Sequence, residues 1–147
     1  MTADERTAPV LVVGYDGSPA SREALTYAAR HAGADGHVYV VHSFEPPHDW
    51  LGHPNYQRVL DEHEGRGREL LEEVDQDGSL GTNVHCELLA GDPADAIVSV
   101  ADTRHAGEIV VGARRLAKIR AALGSVSLDV VHRARVPVVV IPAPEES

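Results

Sequence analysis

The sequence predicts an α/β fold, a three-layer sandwich in which a five-stranded parallel sheet is covered by helices on both faces. Three observations carry that expectation. Short β-branched runs alternate with Ala/Leu-patterned stretches to give the string βαβαβαβαβ. The strand-like runs are nearly continuous in apolar residues, as burial on both faces requires. Turn and helix-capping residues follow the strands directly, which is the order of a βα unit.

The first strand is Val10–Gly14, VLVVG, and the first helix is Pro19–Ala32, PASREALTYAARHA. Between them Gly17 permits an unusual backbone turn, the Ser18 hydroxyl suits an N-cap, and Pro19 fits the first helical position, where its missing N–H costs nothing. Asp16 stands at the strand end, where a carboxylate either braces the loop or accepts a hydrogen bond from a ligand amine. The second strand centres on Val38–Val41 within HVYVVHSF. After a loop with Pro46, Pro47 and Pro54 comes a helical pattern carrying Val59, Leu60, Leu70, Leu71 and Val74, weakened by Gly65 and Gly67. A third strand falls within NVHCELLA and a third helix within PADAIVSVADTRHA, with Asp92 as its N-cap and Pro93 at its first position. The last three elements are a strand at EIVVG, a helix at SVSLDVVHRA and a strand at PVVVIP.

Composition narrows the function. With 147 residues, the chain is read as a single domain over 1–147, with a core at about 10–142 and flexible ends at 1–8 and 143–147. Thirteen basic against 23 acidic side chains give a net charge of −10. That charge repels DNA, RNA and anionic membranes at long range, so no nucleic-acid or membrane partner is expected. Cys86 is the single cysteine, which excludes an internal disulfide and a cysteine zinc cluster. The polar N-terminus MTADERTAP lacks the apolar stretch of a signal peptide, and the chain reads as cytoplasmic.

In open parallel sheets, ligands bind beyond the carboxyl ends of the strands where the winding direction reverses. The loop after the fourth strand stands out there. It runs from Gly112 to Gly124-Ser125, and the free N–H groups at a helix start favour an anion. Between Arg104 and Arg135 lie seven of the thirteen basic residues, against only Glu108 and Asp129. Arginines clustered in this way hold a polyphosphate or an acidic partner segment, or else form a solvated face that balances acidic helices.

Other chemistry is less well supported. His48, His53 and His63 occur near Asp49, Asp61 and Glu62 without a metal-ligand framework, so no metal site is expected. Cys86 reads as a small core residue, since alternation sends His85 and Glu87 to the other face. Gly17-Ser18 lacks the pattern of a hydrolase elbow, and no catalytic residue is singled out.

VGYDGSPASREAL, HVYVVHSF, AGDPADAIV and VVGARR…LGSVSLDVVHRARVPVVVIP together resemble the universal stress protein family, from about Val10 to Pro142. The resemblance implies strand order 3-2-1-4-5, the fold termed adenine nucleotide alpha hydrolase-like, and a reversal between strands one and four. Many members bind ATP through a glycine, two residues, a second glycine, nine residues, then Gly-Ser or Gly-Thr. This chain matches at Gly112 and Gly124-Ser125 but carries Arg115 in place of the second glycine, with only Leu116 to Leu123 before Gly124. Arginine adds bulk and charge where glycine would let the backbone approach phosphate. Carried over by position, the resemblance places Gly14 and Asp16 near the adenosine and the Val41 backbone beside the adenine. Gly112, Arg115 and Arg120 fall on the phosphate loop, and Gly124, Ser125 and Val126 at the helix terminus. Ser125 is expected to cap that helix through its hydroxyl while its N–H meets phosphate.

The resemblance further implies ATP as ligand, with Mg as its counter-ion, and a homodimer through the β-branched final strand; hydrolysis is expected to be slow or incidental because no residue is singled out to activate water. Two other readings stand beside it: a nucleotide-free dimeric interaction module presenting the altered loop to an acidic partner, and an adenylyl- or phosphoryl-transfer enzyme.

Overall fold

A computed structural model describes residues 8–48, 52–81, 83–113 and 123–144. The elements run β1 (Val10–Gly14), α1 (Pro19–Ala32), β2 (His37–Phe44), α2 (Asn55–Asp75), β3 (Val84–Ala90), α3 (Pro93–Thr103), β4 (Glu108–Ala113), α4 (Ser125–Arg133) and β5 (Val138–Pro142), with a 3-10 turn at Gly78–Leu80. The alternation expected from the sequence is the one observed, and α1 has the expected bounds. Strand β2 runs on past Val41 through His42, Ser43 and Phe44, because the parallel ladder with β3 continues to the Phe44–Ala90 pair.

All five strands are parallel, in the order β3-β2-β1-β4-β5. Alternation along each strand divides the apolar side chains between two cores. Leu11, Val13, Val38, Val40 and Val110 pack against Ala24, Leu25 and Ala28 of α1 and Leu71 and Val74 of α2. On the other face Val12, Val41, Ile109 and Val111 pack against Ile97, Val100 and Ala101 of α3 and Val130 of α4. Val12 and Val13 are both fully buried although they are neighbours, and that is why the run reads as continuously apolar. Burial of such a side chain contributes about 1.5–3 kcal/mol relative to leaving it exposed.

The glycine at 67, a weak point by helix propensity, has a packing reason. A Cβ there would stand 2.6 Å from Cδ1 of Leu88 and 3.1 Å from Cδ2 of His42, so its absence lets α2 settle onto β2 and β3.

Candidate functional site

Beyond the carboxyl ends of β1, β2 and β4 lies a cavity of about 590 Å³. It occupies the point where the chain, having wound outward through β1, β2 and β3, returns to place β4 on the other side of β1. Gly14 and Asp16, Val41, Gly112, and Gly124, Ser125 and Val126 all line it. These residues lie far apart in sequence, and each had been singled out from it. Arg115 and Arg120 lie outside the described residues. The ends of their loop, Gly112 and Leu123, are both in the cavity wall.

Three helices begin at this cavity, and their first turns differ. Helix α1 is capped by Ser18, whose Oγ accepts from Ser21 N at 3.2 Å, with Pro19 at the next position. Helix α3 is capped by Asp92, whose Oδ2 accepts from Asp95 N at 3.0 Å, with Pro93 following. Helix α4 starts at Gly124 with no side-chain cap, and its first ladder bond runs from Leu128 N to Gly124 O. The N–H groups of Ser125, Val126 and Ser127 therefore have no partner within the helix. Ser125 does not cap the helix as expected, because the N-cap position falls on Gly124 and Ser125 is already helical. That leaves the positive end of the α4 dipole beside the cavity lining.

Side chains that sequence reading passed over fix the walls. His42 donates from Nδ1 to the carbonyl of Tyr15 at 2.8 Å, tying the end of β2 to the β1–α1 loop. Ser43 donates to the carbonyl of Gly91 at 2.5 Å and ties the same strand end to the loop before α3. Ser127, 4% exposed, donates to the carbonyl of Gly112 at 2.8 Å and so anchors α4 to the end of β4. Asp16 accepts from Ser18 N at 2.9 Å through Oδ1, so it braces the loop while also lining the cavity. The Val41 carbonyl accepts from Tyr15 N at 2.9 Å, which spends one of its two lone pairs on the sheet. A serine's tertiary partner leaves no local signature, and the one sequence signal for Ser127 is a polar residue in an apolar helical stripe.

Gly112 has a structural duty apart from any phosphate. A Cβ there would stand 2.6 Å from the backbone carbon of Ala20 and 2.8 Å from its oxygen, so the end of β4 meets the start of α1 backbone to backbone.

The three described arginines of the basic stretch face acidic groups. Arg104 pairs with Glu87, Arg133 with Asp92 and Asp95, and Arg135 approaches Asp102 at 3.9 Å. Arg133 is held above its usual value chiefly by the negative charge of Asp95. These three arginines balance acidic groups on β3 and α3, as the solvated-face reading expects. Arg114, Arg115, Lys118 and Arg120 lie outside the described residues. Cys86 packs with the α1/α2 core, and burial, with the Asp75 hydrogen bond and charge behind it, pushes its thiol up to about 12. That protonated thiol is not a nucleophile at neutral pH. Among the described residues no group of three or more His, Cys, Asp or Glu is placed to hold a metal.

A sequence model of the universal stress protein family matches residues 9–142. The chain belongs to that family. A universal stress protein of Thermus aquaticus, named for its position 3′ of a QAH/OAS sulfhydrylase gene, is 36% identical over 136 residues, covering 89% of this chain and 96% of its own. Two solved universal stress protein structures are similar in fold and carry ligands. One, in complex with cAMP, is 27% identical with a TM-score of 0.70 and covers 94% of this chain and 100% of its own. The other, from Archaeoglobus fulgidus in complex with dAMP, is 27% identical with a TM-score of 0.57 and covers 92% and 98%. The universal stress protein sheet order implied by the motifs is the order observed, and the fold is the adenine nucleotide alpha hydrolase-like one.

Proposed function

We propose that this universal stress protein is a single-domain regulatory module that binds an adenine nucleotide in the cavity between β1 and β4. The observation that carries the reading is the uncapped start of α4 in the wall of that cavity. A phosphate group would complete the N-terminus that no described side chain caps. Gly14, Asp16 and Val41 line the rest and suit the nucleoside, Gly112, Arg115 and Arg120 its phosphates, and Gly124, Ser125 and Val126 the anion contact at the helix. The similarity to structures holding cAMP and dAMP supports the ligand class. ATP is the nucleotide we assign. Its Mg would arrive as a phosphate counter-ion, because Asp16 is the only carboxylate among the described lining residues. A cytoplasmic setting suits the single cysteine. Among the described residues no helix is long and apolar enough to cross a membrane.

Calorimetric titration of AMP, cAMP and ATP into nucleotide-stripped protein tests the proposal. Saturable binding is expected. Absence of both heat and thermal shift at millimolar nucleotide would favour the nucleotide-free interaction module.

A homodimer through β5 is the second part of the proposal. β5 is an edge strand, and on the adjoining α4 Leu128 and Val131 lie three positions apart and are 44% and 43% exposed. A second copy pairing along β5 would cover these side chains, while Pro137 and Pro142 limit the ladder's length. Sedimentation equilibrium should give a dimer mass, and a concentration-independent monomer mass would remove this part.

A further inference from the structure

The opposite end of the sheet carries a side-chain cluster that the nucleotide reading does not use. His37 opens β2 and His85 is the second residue of β3. The register pairs Tyr39 with His85, which sets His37 diagonally across from His85, and alternation puts His37, Tyr39, His85 and Glu87 on one face. There Nδ1 of His37 stands 3.1 Å from Nε2 of His85, with the ring centroids 5.3 Å apart and the planes 20° from parallel. Tyr39 stacks on His85 at 4.9 Å, and Arg104 lies over Tyr39 at 4.7 Å while pairing with Glu87. The imidazoles are thus held by strands in adjacent register, and one is buttressed by an aromatic ring. Other histidines are spent differently, with His42 and His63 each donating from Nδ1 to a backbone carbonyl.

Two ring nitrogens this close share one proton, since each neutral imidazole has one donor and one acceptor. When the donor ring carries its proton on its other nitrogen instead, both facing nitrogens present lone pairs that a cation can share. With metal–nitrogen bonds of about 2.0–2.1 Å, donors 3.1 Å apart subtend roughly 95–100° at a metal. That falls between the right angle of square-planar or octahedral sites and the tetrahedral angle. We infer that His37 and His85 form a two-imidazole chelate for a divalent transition-metal ion such as Zn²⁺ or Ni²⁺, with water in the remaining positions. The rings now meet nearly head-on, so each must turn by roughly 40° to bring its lone pair onto the ion at that angle. The Arg104 charge, which would oppose a cation, is offset by its Glu87 partner. The ion binds at the amino ends of the strands, remote from the cavity at their carboxyl ends, so this inference stands apart from the nucleotide proposal.

Zn²⁺ titrated calorimetrically into the full chain at neutral pH should bind saturably, one ion per chain. His37→Gln and His85→Gln should each weaken it more than the about tenfold that loss of even an outer-shell partner costs. Binding should also fade on acidification, because imidazole ligates as the neutral base. Should either variant fail to fold, imidazole nitrogen NMR of the unaltered chain decides, with the His37 and His85 resonances expected to move together on adding Zn²⁺. Lack of saturable binding, an affinity unchanged in either folded variant, or movement confined to other histidines would overturn the inference.

Discussion

The first turns of α1 and α3 and the first turn of α4 line the same cavity, but the former are closed by Ser18 and Asp92 while the latter is left open at Gly124. Each helix begins just beyond a parallel strand, so all three bring dipole and unpaired N–H groups to one place. Where a side chain supplies the cap and proline follows, one first-turn N–H is bonded within the protein and another is absent altogether. Where glycine stands instead, the turn is complete only with water or a ligand. The difference distinguishes helix starts whose caps build the wall from the one left open, where the proposed nucleotide would place its phosphate.

Substitutions can break or sharpen that contrast, and their expected effects fall in order. Gly112→Ala should cost about 1–3 kcal/mol in chemical denaturation, because the new Cβ meets the immobile backbone of Ala20. A neutral result would mean that the β4 end and α1 are not packed as described. Ser127→Ala should follow at about 1–1.5 kcal/mol, since it removes the hydrogen bond that ties α4 to the Gly112 carbonyl at the end of β4. Ser18→Ala and Asp92→Ala should each lower stability by about 1 kcal/mol, the ordinary worth of an N-cap. Ser125→Ala should stay within about 0.5 kcal/mol, because its hydroxyl caps nothing. Equal losses in Ser18→Ala and Ser125→Ala would erase the distinction between the closed and open starts.

Much of this was legible in the sequence, for reasons that differ by element. Strands such as VLVVG and EIVV were plain because both faces are buried, leaving no polar interruption. The starts of α1 and α3 were plain because cap and proline are local signals, readable without tertiary structure. The far end of β2 was harder, since His42 and Ser43 look like loop residues until their partners at Tyr15 and Gly91 are seen. In the sequence Ser125 competes with Gly124 for the cap, because both serine and glycine suit that position and only backbone angles decide. Charge was the least legible. The basic stretch from Arg104 to Arg135 looks like one cluster along the chain, yet Arg104, Arg133 and Arg135 turn to acidic partners on β3 and α3.

The open start of α4 is tested most directly by Gly124→Asp. A side chain at this position meets no described atom within 4 Å, and its backbone is extended, so the substitution is sterically tolerated. Aspartate would cap α4 as Asp92 caps α3, adding a few tenths of a kcal/mol to stability, while its carboxylate takes the place of the phosphate. Calorimetric titration of AMP into both proteins, with thermal unfolding alongside, should show an equal or higher melting temperature and an affinity lower by about tenfold or more. Undiminished AMP affinity in the folded variant would contradict the account.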